Sequence, residues 1–592
     1  MPAGIFVLWL FVGAWQMKQV AAVPFGVGIF VGGDTDHDGR EEILLCGQAE
    51  RNGSWEPCYQ IWENSGWNRY VLVHSDTGAQ WWVPGLHSGN FVPSDIGDPD
   101  DDGLVDILGY NEEYGWDSTG QHGLRYPMIL TMESPSGDSC PTRMSWGLRY
   151  NSQGATGLDP RAIAPDLDRD GRQEIVCFDE GLRVLECVGN SAYESVWFSD
   201  TIPLGYGWPF SDFDLDGRRD FVGSGRGATV VENSGPDSYS WVWADTIPYP
   251  NLHDVFAGRD VNQNGRPEFF VRSAQYRGMA GWHFDLLMFE ATGDNAFVMT
   301  HVAEVSQSIS DPGTRSACGD IDGDGVDEVA WDVVGEVIVF HSPAPSRLEG
   351  VCSWYTGAQF GTAVKVLDMN HNGYADIVVS NNGRTVVVEL EAIRVLRPNR
   401  RAAYQPGDTC RVSWQTFDPP RCDSVSLFLR TDTTYQLDTI AHGLAPTDTP
   451  YVWIVPDIRA DSARVMAIAY GPGWQYDESD SAIRILGSGI SEARPQRVRE
   501  LRLAVSPNPA RGAVSVSYDL PSSVPVDLSV INPAGRKVAT LASGRIGPGR
   551  HQVHWNRQDN KGRALPAGVY FVRLAAGEKT RLVKLVLTGE ER

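Results

Sequence analysis

Basic residues are scarce in this 592-residue chain, with 49 Lys and Arg against 76 Asp and Glu. The net charge of −27 argues against nucleic acid and anionic membranes as partners, because both are polyanions and repel an acidic protein. The HExxH, GxSxG and phosphate-loop motifs are missing. So is the CxxC pair of zinc ribbons and thioredoxin-like sites. We therefore expect no catalytic residues and a protein that is not an enzyme.

Long hydrophobic runs are also lacking. Residues 4–14 form an apolar run that is too short to span a bilayer, which takes about 20 residues. The small residues Val20–Ala22 follow it, as at a signal-peptidase site. We predict a signal peptide over 1–22, a secreted or cell-surface (bacterial extracellular) location, and no transmembrane segment in the mature form. The alternative is that the run is a buried first strand.

Cysteine is infrequent, and its nine copies are an odd number, so at least one is unpaired within the chain. Three pairs have a spacing that would place them on adjacent strands, within reach of a disulfide. Buried thiols are the alternative for each pair. The pairs are Cys46–Cys58, Cys177–Cys187 and Cys410–Cys422.

The residue types that are abundant in the chain favour β-strands. Hydrophobic residues make up 42% of the chain, which is too much for a disordered protein. The 63 Gly, 36 Pro, 20 Trp, 20 Tyr and 21 Phe fit many short strands joined by tight turns. We expect an all-β protein.

Seven nonapeptides share one pattern, with Asp at position 1, Asp or Asn at 3 and 5, Gly at 6, and Asp or Glu at 9. Successive copies begin 46 to 68 residues apart, a period within the range of propeller blades. The copies span 34–42, 98–106, 166–174, 212–220, 260–268, 320–328 and 368–376.

This spacing suits calcium, which takes six to eight hard oxygen ligands. Side chains at positions 1, 3 and 5 and the backbone carbonyl at 7 supply oxygens, the carboxylate at 9 completes the set, and Gly at 6 allows a positive φ. The predicted ligands are Asp34, Asp36, Asp38, Arg40, Glu42; Asp98, Asp100, Asp102, Leu104, Asp106; Asp166, Asp168, Asp170, Arg172, Glu174; Asp212, Asp214, Asp216, Arg218, Asp220; Asp260, Asn262, Asn264, Arg266, Glu268; Asp320, Asp322, Asp324, Val326, Glu328; and Asp368, Asn370, Asn372, Tyr374, Asp376.

The alternative is a set of Asp-Gly hairpin turns on a solvated surface. Seven copies in one register favour calcium instead, and we predict up to seven structural Ca²⁺ ions. The fifth and seventh copies carry Asn at positions 3 and 5, so they have less charge and should bind more weakly. Without cations the clustered carboxylates would repel one another.

Short strands rich in β-branched and aromatic residues follow position 9, which differs from an EF-hand with its flanking helices and its ligand at position 12. A second signal recurs 20 to 35 residues after five of the copies: an apolar stretch ending in Glu, a turn, and in four of them an aromatic residue. We interpret this Glu as a turn-capping residue. Each period then holds four antiparallel strands, which is typical of a propeller blade.

The nonapeptides resemble the FG-GAP/VCBS repeats of the integrin α-subunit head. The resemblance implies a seven-bladed β-propeller over 23–393, with calcium between the first two strands of each blade. Literal FG-GAP sequences are mostly missing, the nearest being Phe360–Ala363. Little chain remains to close the seventh blade. Either that blade has three strands, or part of the signal segment is retained.

Two smaller modules follow. Alternating apolar and polar residues over 394–487 predict a β-sandwich that resembles Ig- or fibronectin-III-like modules, and 488–500 is a linker. Residues 501–592 resemble the sorting module of type IX secretion substrates and the Ig-like domain of the flagellar hook-capping protein, which implies the type IX machinery as a partner. The matching residues are Pro507–Pro509, Gly535–Arg536, Trp555, Gly568–Phe571 and Lys584.

The predicted fold is therefore a seven-bladed propeller followed by two Ig-like β-sandwich domains. We predict a non-catalytic binding or adhesion scaffold for a glycan or a surface protein. The alternatives are an extracellular polysaccharide lyase or glycosidase on the same propeller, and a purely structural envelope protein. Six tryptophans are candidates for a sugar-binding face, although packing between blades would also explain them. They are Trp81, Trp82, Trp116, Trp208, Trp241 and Trp243.

Overall fold

The structure is a computed structural model, and strands are its regular elements. It describes residues 15–25, 28–51, 54–66, 68–76, 87–116, 122–137, 139–149, 161–178, 181–200, 209–224, 227–245, 252–276, 282–307, 316–333, 336–345, 347–355, 363–381, 383–417, 419–431, 437–487, 501–506, 508–510, 514–520, 524–533, 536–546, 549–559, 563, 565–577 and 579–588. Over these residues, no helix is long and apolar enough to cross a membrane.

Seven four-stranded antiparallel sheets carry the seven nonapeptides, one per sheet, and we number sheets and loops one to seven in chain order. Strand β1 (Met17–Val23) comes first in the chain but belongs to sheet seven. Sheet one is β2 (Gly28–Val31), β3 (Glu42–Arg51), β4 (Ser54–Asn64) and β5 (Tyr70–Asp76). Sheet two is β6 (His87–Gly97), β7 (Asp106–Trp116), β8 (His122–Glu133) and β9 (Arg143–Arg149). Sheet three is β10 (Arg161–Ala164), β11 (Glu174–Phe178), β12 (Leu182–Gly189) and β13 (Ala192–Ser199).

The next four sheets repeat this order. Sheet four is β14 (Phe210–Ser211), β15 (Asp220–Ser224), β16 (Ala228–Gly235) and β17 (Ser238–Ala244). Sheet five is β18 (Leu252–Ala257), β19 (Glu268–Tyr276), β20 (Trp282–Gly293) and β21 (Ala296–Gln307). Sheet six is β22 (Ala317–Gly319), β23 (Glu328–Val333), β24 (Glu336–Ala344) and β25 (Arg347–Tyr355). Sheet seven is β26 (Ala363–Leu367), β27 (Asp376–Asn381) and β28 (Arg384–Leu390), with β1 as its fourth strand.

The second strand of a sheet is its most buried element. Every residue of β11, β15 and β23 is buried, because these strands have a neighbour on each side and another sheet against each face. Such strands read as continuous apolar runs instead of alternating ones.

Neighbouring sheets pack face to face in cyclic order. Apolar clusters join sheet three to sheet four through Val176 and Phe221, and sheet five to sheet six through Phe270 and Trp331. The order closes because β2 of sheet one contacts β26 and β27 of sheet seven. The all-β class is confirmed, and this cyclic arrangement is the one expected of a propeller.

Strand β1 completes the last sheet. Met17 pairs with Leu390 and Val23 with Thr385, so the start of the chain supplies the fourth strand of sheet seven. The domain therefore begins at least six residues before the predicted boundary at residue 23. The signal peptide stays a prediction, but cleavage near Ala22 would remove this strand, so a cleavage compatible with the fold lies before Met17.

Cysteine pairing across the first hairpin is prevented by register. Cys46 is opposite Tyr59, while Cys58 is opposite Gly47. Adjacent residues of a strand point to opposite faces, so the two sulfur atoms lie on different sides of the sheet. All nine cysteines are thiols in the structure.

The β-sandwich begins at β29 and belongs to the same compact unit as the seven sheets, Met1–Gly487. One sheet has the order β29-β31-β34, and the other has β30-β37-β35-β32-β33 with β36 paired to β35. The strands are β29 (Ile393–Arg397), β30 (Ala403–Tyr404), β31 (Thr409–Thr416), β32 (Ser424–Arg430), β33 (Leu437–Leu444), β34 (Tyr451–Ile454), β35 (Arg459–Tyr470), β36 (Trp474–Glu478) and β37 (Ile483–Leu486).

The sandwich contacts loop seven. The backbone N–H of Trp474 donates to the carbonyl of Asn372 at 2.8 Å. The ring of Tyr374 is only 2% exposed and lies against Gly471 and Gly473, where a Cβ on Gly473 would come within 2.8 Å of it.

The second compact unit is Ser488–Arg592, and its described residues form seven strands in two sheets. The sheets have the orders β38-β39-β42 and β41-β40-β43-β44. The strands are β38 (Arg502–Ser506), β39 (Val514–Leu520), β40 (Val524–Ile531), β41 (Lys537–Ile546), β42 (Gly549–Trp555), β43 (Gly568–Ala576) and β44 (Lys579–Leu587).

Two of the residues that carry the resemblance have structural roles in this unit. Asn508 joins the start of the module to its last strand, accepting from the backbone N–H of Val586 at 3.0 Å and donating to the carbonyl of Lys584 at 2.7 Å. The ring of Trp555 is buried in the core and donates to the carbonyl of Gln558. Pro507 and Gly535 lie outside the described residues.

Candidate metal centre

Each nonapeptide forms the loop between the first and second strands of its sheet. Position 9 is the first residue of the second strand in all seven sheets, from Glu42 on β3 to Asp376 on β27. The loop is therefore anchored to the most buried strand, which brings its last carboxylate under the side chains of positions 1, 3 and 5.

The aspartate at position 1 closes every loop by accepting a hydrogen bond from the backbone N–H of the glycine at position 6. The distances lie between 2.7 and 3.0 Å in the seven loops. Gly217, with φ of 94°, shows the predicted left-handed backbone. An L-residue pays a steric cost in this region, which explains the glycine.

Position 4 is also left-handed, which we did not predict. His37, Arg169 and Leu215 have φ values of 59°, 64° and 61°. The same holds at Asp101, Gln263, Gly323 and His371. Position 4 carries six residue types in the seven loops and is exposed in all except loop six, where it is Gly323, so only its backbone is constrained.

The carboxylate at position 9 has a split role in six loops. One oxygen accepts from the backbone N–H of position 2, as Glu268 does from Val261 at 2.9 Å. The corresponding distances in the other five are 2.6 to 2.9 Å. In loop two, Asp106 accepts instead from the hydroxyl of Ser145 at 3.2 Å. The second oxygen of Glu42, Glu268 and Asp376 accepts no hydrogen bond and remains available to its loop.

Several oxygen atoms in these loops have no hydrogen-bond donor. This observation tests whether the loop residues fit a bound metal ion. A buried oxygen that accepts no hydrogen bond is unfavourable unless something else satisfies it. Nine such atoms belong to predicted ligands in loops one to five and seven. They are Asp36 Oδ1, Glu42 Oε1, Asp100 Oδ1, Asp106 Oδ2, Asp166 Oδ1, Asp212 Oδ1, Asn262 Oδ1, Glu268 Oε1 and Asp376 Oδ1. Carboxylate and amide oxygens are the ligands that calcium prefers, so the residues fit the ion.

The structure brings the predicted ligands together within single loops. Oxygens of Asp166, Asp168, Asp170 and Glu174 all lie within 4.8 Å of one another. The same holds for Asp34, Asp36 and Glu42; for Asp98, Asp100 and Asp102; and for Asp212, Asp214 and Asp216.

Burial raises the pKa of the position 9 carboxyls strongly. The pKa of Glu42 is raised to about 7, and those of Glu174 and Asp220 to about 8, with the neighbouring carboxylates of each loop as a smaller cause. The same causes raise the pKa of Asp106 and Glu268 to about 8. A bound cation would reverse this effect, because it stabilises the ionised form.

The glutamate of the second sequence signal is not a turn cap, and that interpretation is corrected here. It lies on the third strand, directly opposite position 9: Glu42 faces Glu63, and Asp106 faces Glu133. The other pairs are Glu174–Glu186, Asp220–Glu232 and Glu268–Glu290. In sheet seven, where no such signal was identified, Glu389 is adjacent to Asp376 across the strands.

These third-strand glutamates orient the loops. The Nδ2 of Asn262 donates to Glu290 at 2.9 Å, which leaves its Oδ1 facing the loop as a potential ligand. Arginines at position 7 pair with the glutamates in other sheets, as Arg218 does with Glu232 at 2.9 Å. Arg40 and Arg172 do the same, so position 7 can contribute to the loop only through its backbone carbonyl. Arg266 donates instead to a backbone carbonyl, and Tyr374 packs on the sandwich.

Each loop also contacts the next sheet. The position 3 carboxylate of Asp168 accepts from the backbone N–H of Asp237, in the hairpin of sheet four, at 2.8 Å. Asp214 accepts from Asn295 of sheet five at 2.7 Å. Loop seven closes the cycle, since Asn370 donates to Asn68 of sheet one at 2.8 Å.

The aromatic residue of the second signal lies beside the loop of the preceding sheet. The hydroxyls of Tyr193 and Tyr239 are buried and have no hydrogen-bond partner. Burial is the main cause that raises the pKa of both, and the largest charge effect comes from Asp106 of loop two for Tyr193 and from Glu174 of loop three for Tyr239. Loops two and three are therefore covered by the hairpin of the following sheet.

The tryptophans divide between core and surface. Trp243 packs in the core against Phe269, Phe289 and Phe297, as expected for packing between sheets. Trp241 is 47% exposed. Trp81, Trp82 and Trp208 lie outside the described residues, as do the side chain of Trp116 and most of the FG-GAP-like segment.

Comparison with known proteins identifies the C-terminal module. Residues 506–579 match the family described as the FlgD Ig-like domain, which confirms the Ig-like prediction for this part of the chain. No curated protein matches the chain.

Three solved structures align with parts of the chain at low similarity. PorZ of Porphyromonas gingivalis, a surface component of its type IX secretion system, is 10% identical over 94% of this chain and 81% of PorZ, with a TM-score of 0.22. β-Glucuronidase 3 of Bacteroides uniformis is 13% identical over 33% and 24%, with a TM-score of 0.14. The fibronectin(III)-like modules of Clostridium thermocellum CbhA are 14% identical over 34% and 97%, with a TM-score of 0.12. TM-scores this low support no inference about this chain.

Proposed function

We propose that the chain is a secreted or cell-surface, non-catalytic binding scaffold, a seven-bladed propeller whose loops hold structural Ca²⁺. The observation that carries the proposal is the repeated convergence of buried oxygens without donors. Hydrogen-bonded surface turns would leave no such atoms, whereas a calcium ion supplies the missing positive charge.

The residues that would hold the ion are the side chains at positions 1, 3, 5 and 9 and the carbonyl at position 7. When bound, calcium neutralises clustered carboxylates and provides the interaction that their buried oxygens lack. The protein orients those oxygens through the glycine N–H at position 6, the position 2 N–H and the third-strand glutamate. Since each loop also contacts the next sheet, ion binding would stiffen the junctions between blades.

Native mass spectrometry tests the calcium sites one loop at a time. The double substitution of Asp212 and Asp216 by Ala in the full chain should remove one Ca²⁺ and leave the others. Asp461→Ala is the matched control, because this carboxylate is 69% exposed on the sandwich and outside every loop. An unchanged calcium count in the double variant would refute the assignment of loop four.

The binding role is supported by the absence of recognised catalytic motifs and by the rigid frame that the loops provide. A glycan and surface-protein array, probed with calcium and again with chelator, tests it. Calcium-dependent retention of one class of ligand is expected. Turnover of a polysaccharide, abolished by changing a carboxylate outside the seven loops, would establish the alternative enzyme.

We propose export through the type IX machinery, on the sequence resemblance of residues 501–592 to its sorting modules. The match of 506–579 to an Ig-like family is compatible with this and does not distinguish it from the flagellar relative. Expression in a bacterium with type IX secretion tests it. The full chain should reach the cell exterior, whereas a chain ending at residue 487 should stay in the periplasm. Equal export of both would contradict the proposal.

A further inference from the structure

Loop six differs from the other six loops at the third strand. Val329 pairs with Phe340, so the residue adjacent to Glu328 across β23 and β24 is His341. The other sheets have glutamate at this place. The Nδ1 of His341 lies 3.0 Å from Glu328 Oε1. That oxygen corresponds to Glu42 Oε1 and Glu268 Oε1, which accept no hydrogen bond in their own loops.

Three side chains of different chemistry meet here. An oxygen of Asp322, an oxygen of Glu328 and a ring nitrogen of His341 all lie within 4.8 Å of one another. Asp322 is 8% exposed and Glu328 is fully buried. The imidazole is held in place by the ring of Trp15, with centroids 5.1 Å apart.

A nitrogen donor changes which ion the loop prefers. Calcium binds through oxygen ligands, whereas imidazole suits zinc and the other late first-row divalent ions. Histidine nitrogen and Asp or Glu oxygen are both zinc ligands, so the three side chains supply donor atoms that such an ion accepts. Around an ion with bonds of about 2.0–2.2 Å, neighbouring tetrahedral ligand atoms lie about 3.3 Å apart. The separation of 3.0 Å between His341 and Glu328 is close to that value.

Position 7 of loop six also lacks a cation that could pair with the third strand. Loops one, three and four carry arginine at this position, and it pairs with the third-strand glutamate. Loop six has Val326 instead, so no position 7 cation competes for the space beside His341. Loop six therefore places a ring nitrogen at the third strand, with no guanidinium from its own loop beside it.

We propose that loop six is a transition-metal site of the Zn²⁺ and Co²⁺ type, with Asp322, Glu328 and His341 as ligands, within a protein whose other loops take calcium. The inference deepens the proposed function. Only the statement that the other loops take calcium rests on that function. If the His341–Glu328 hydrogen bond simply replaces an ion, loop six holds no metal, and the experiment below shows this.

The test uses the full chain in saturating Ca²⁺ with Co²⁺ as the probe. We expect one Co²⁺ per chain by native mass spectrometry, with visible d–d absorption typical of low-coordinate nitrogen and oxygen ligation, and no displacement by excess Ca²⁺. His341→Glu restores the residue of the other sheets. It should weaken Co²⁺ binding by about a hundredfold or more and convert loop six to a calcium site.

His371→Gln is the matched control. This histidine is at position 4 of loop seven, 57% exposed and 3.5 Å from Glu41, so it is near a carboxylate but is not one of the predicted ligands. Co²⁺ binding should be unchanged in this variant. His341→Gln, which keeps the size and a hydrogen bond, serves if His341→Glu does not fold.

The outcomes separate the two proposals. Absence of bound Co²⁺, or Co²⁺ binding that survives both His341 substitutions, overturns the transition-metal site. If Ca²⁺ fills the other loops in that case, the proposed function stands. If Co²⁺ binds through His341 and no Ca²⁺ binds at all, the calcium scaffold fails while the loop six site stands.

Discussion

Substituting Glu268 by Gln should have opposite consequences with and without calcium. This side chain is fully buried, one oxygen accepts from Val261 N–H at 2.9 Å, and the other accepts nothing. Glutamine keeps the first interaction and removes the charge. In metal-free protein at pH 8, stability should stay the same or rise, because burial raises the pKa of Glu268 to about 8 and ionisation is costly there.

With calcium the same substitution removes a ligand. At a free concentration of 100 times the dissociation constant, one site contributes about 2.7 kcal/mol to the free energy of unfolding. For the unit Met1–Gly487, whose unfolding entropy is about 1 kcal/mol/K, this corresponds to a fall of about 3 °C in Tm. Differential scanning calorimetry in chelator and in excess Ca²⁺ measures both states.

Glu304→Gln is the control, since this carboxylate is 40% exposed on the outer strand β21 and far from position 9 in register. It should change Tm little in either buffer. If Glu268→Gln lowers Tm by the same amount with and without calcium, the carboxylate is a structural hydrogen-bond acceptor, and the reasoning is refuted.

Three further predictions concern pH and the closure of the ring. Because the position 9 pKa values are raised from 3.8 or 4.5 to about 7–8, the metal-free folded state binds more protons than the unfolded state. Its free energy of unfolding should therefore fall between pH 5 and pH 8 in urea titrations, and a rise would contradict this. Calcium-loaded protein should not show that fall, because the ion binds the ionised carboxylates. Asn68→Ala removes hydrogen bonds to Glu389 and Asn370, both at 2.8 Å, and should lower the free energy of unfolding by about 1–3 kcal/mol; a loss below about 0.3 kcal/mol would show that this junction is not part of the closure. A chain that begins at residue 24 lacks Met17–Val23 and should aggregate in size-exclusion chromatography, whereas one that begins at residue 15 should stay monodisperse; equal behaviour would exclude β1 as the closing strand.

The loops were predictable from sequence because their requirements are local. A ligand set built from alternate residues and one glycine leaves a fixed pattern, and the structure places it between the first two strands of every sheet. The strand after each loop was also predictable, because burial on both faces demands a continuous apolar run.

The third-strand glutamates were misinterpreted because their position depends on strand pairing. Glu63 and Glu186 lie opposite position 9 in their sheets, but the hairpins that lead to them differ in length. No fixed spacing in the sequence reveals this partnership. For the same reason His341 was not predicted, since it lies outside any recurring signal. Strand β1 was not predicted either, because it pairs with a strand more than 360 residues later.

An anomalous-scattering experiment tests the central claim most directly. Crystals of the full chain grown in Ca²⁺ should be measured at a long wavelength, where calcium scatters anomalously. The account predicts peaks inside the loops, within bonding distance of oxygens such as Glu268 Oε1 and Asp212 Oδ1. Well-ordered loops without a peak, with water or protein donors on those oxygens instead, would contradict it.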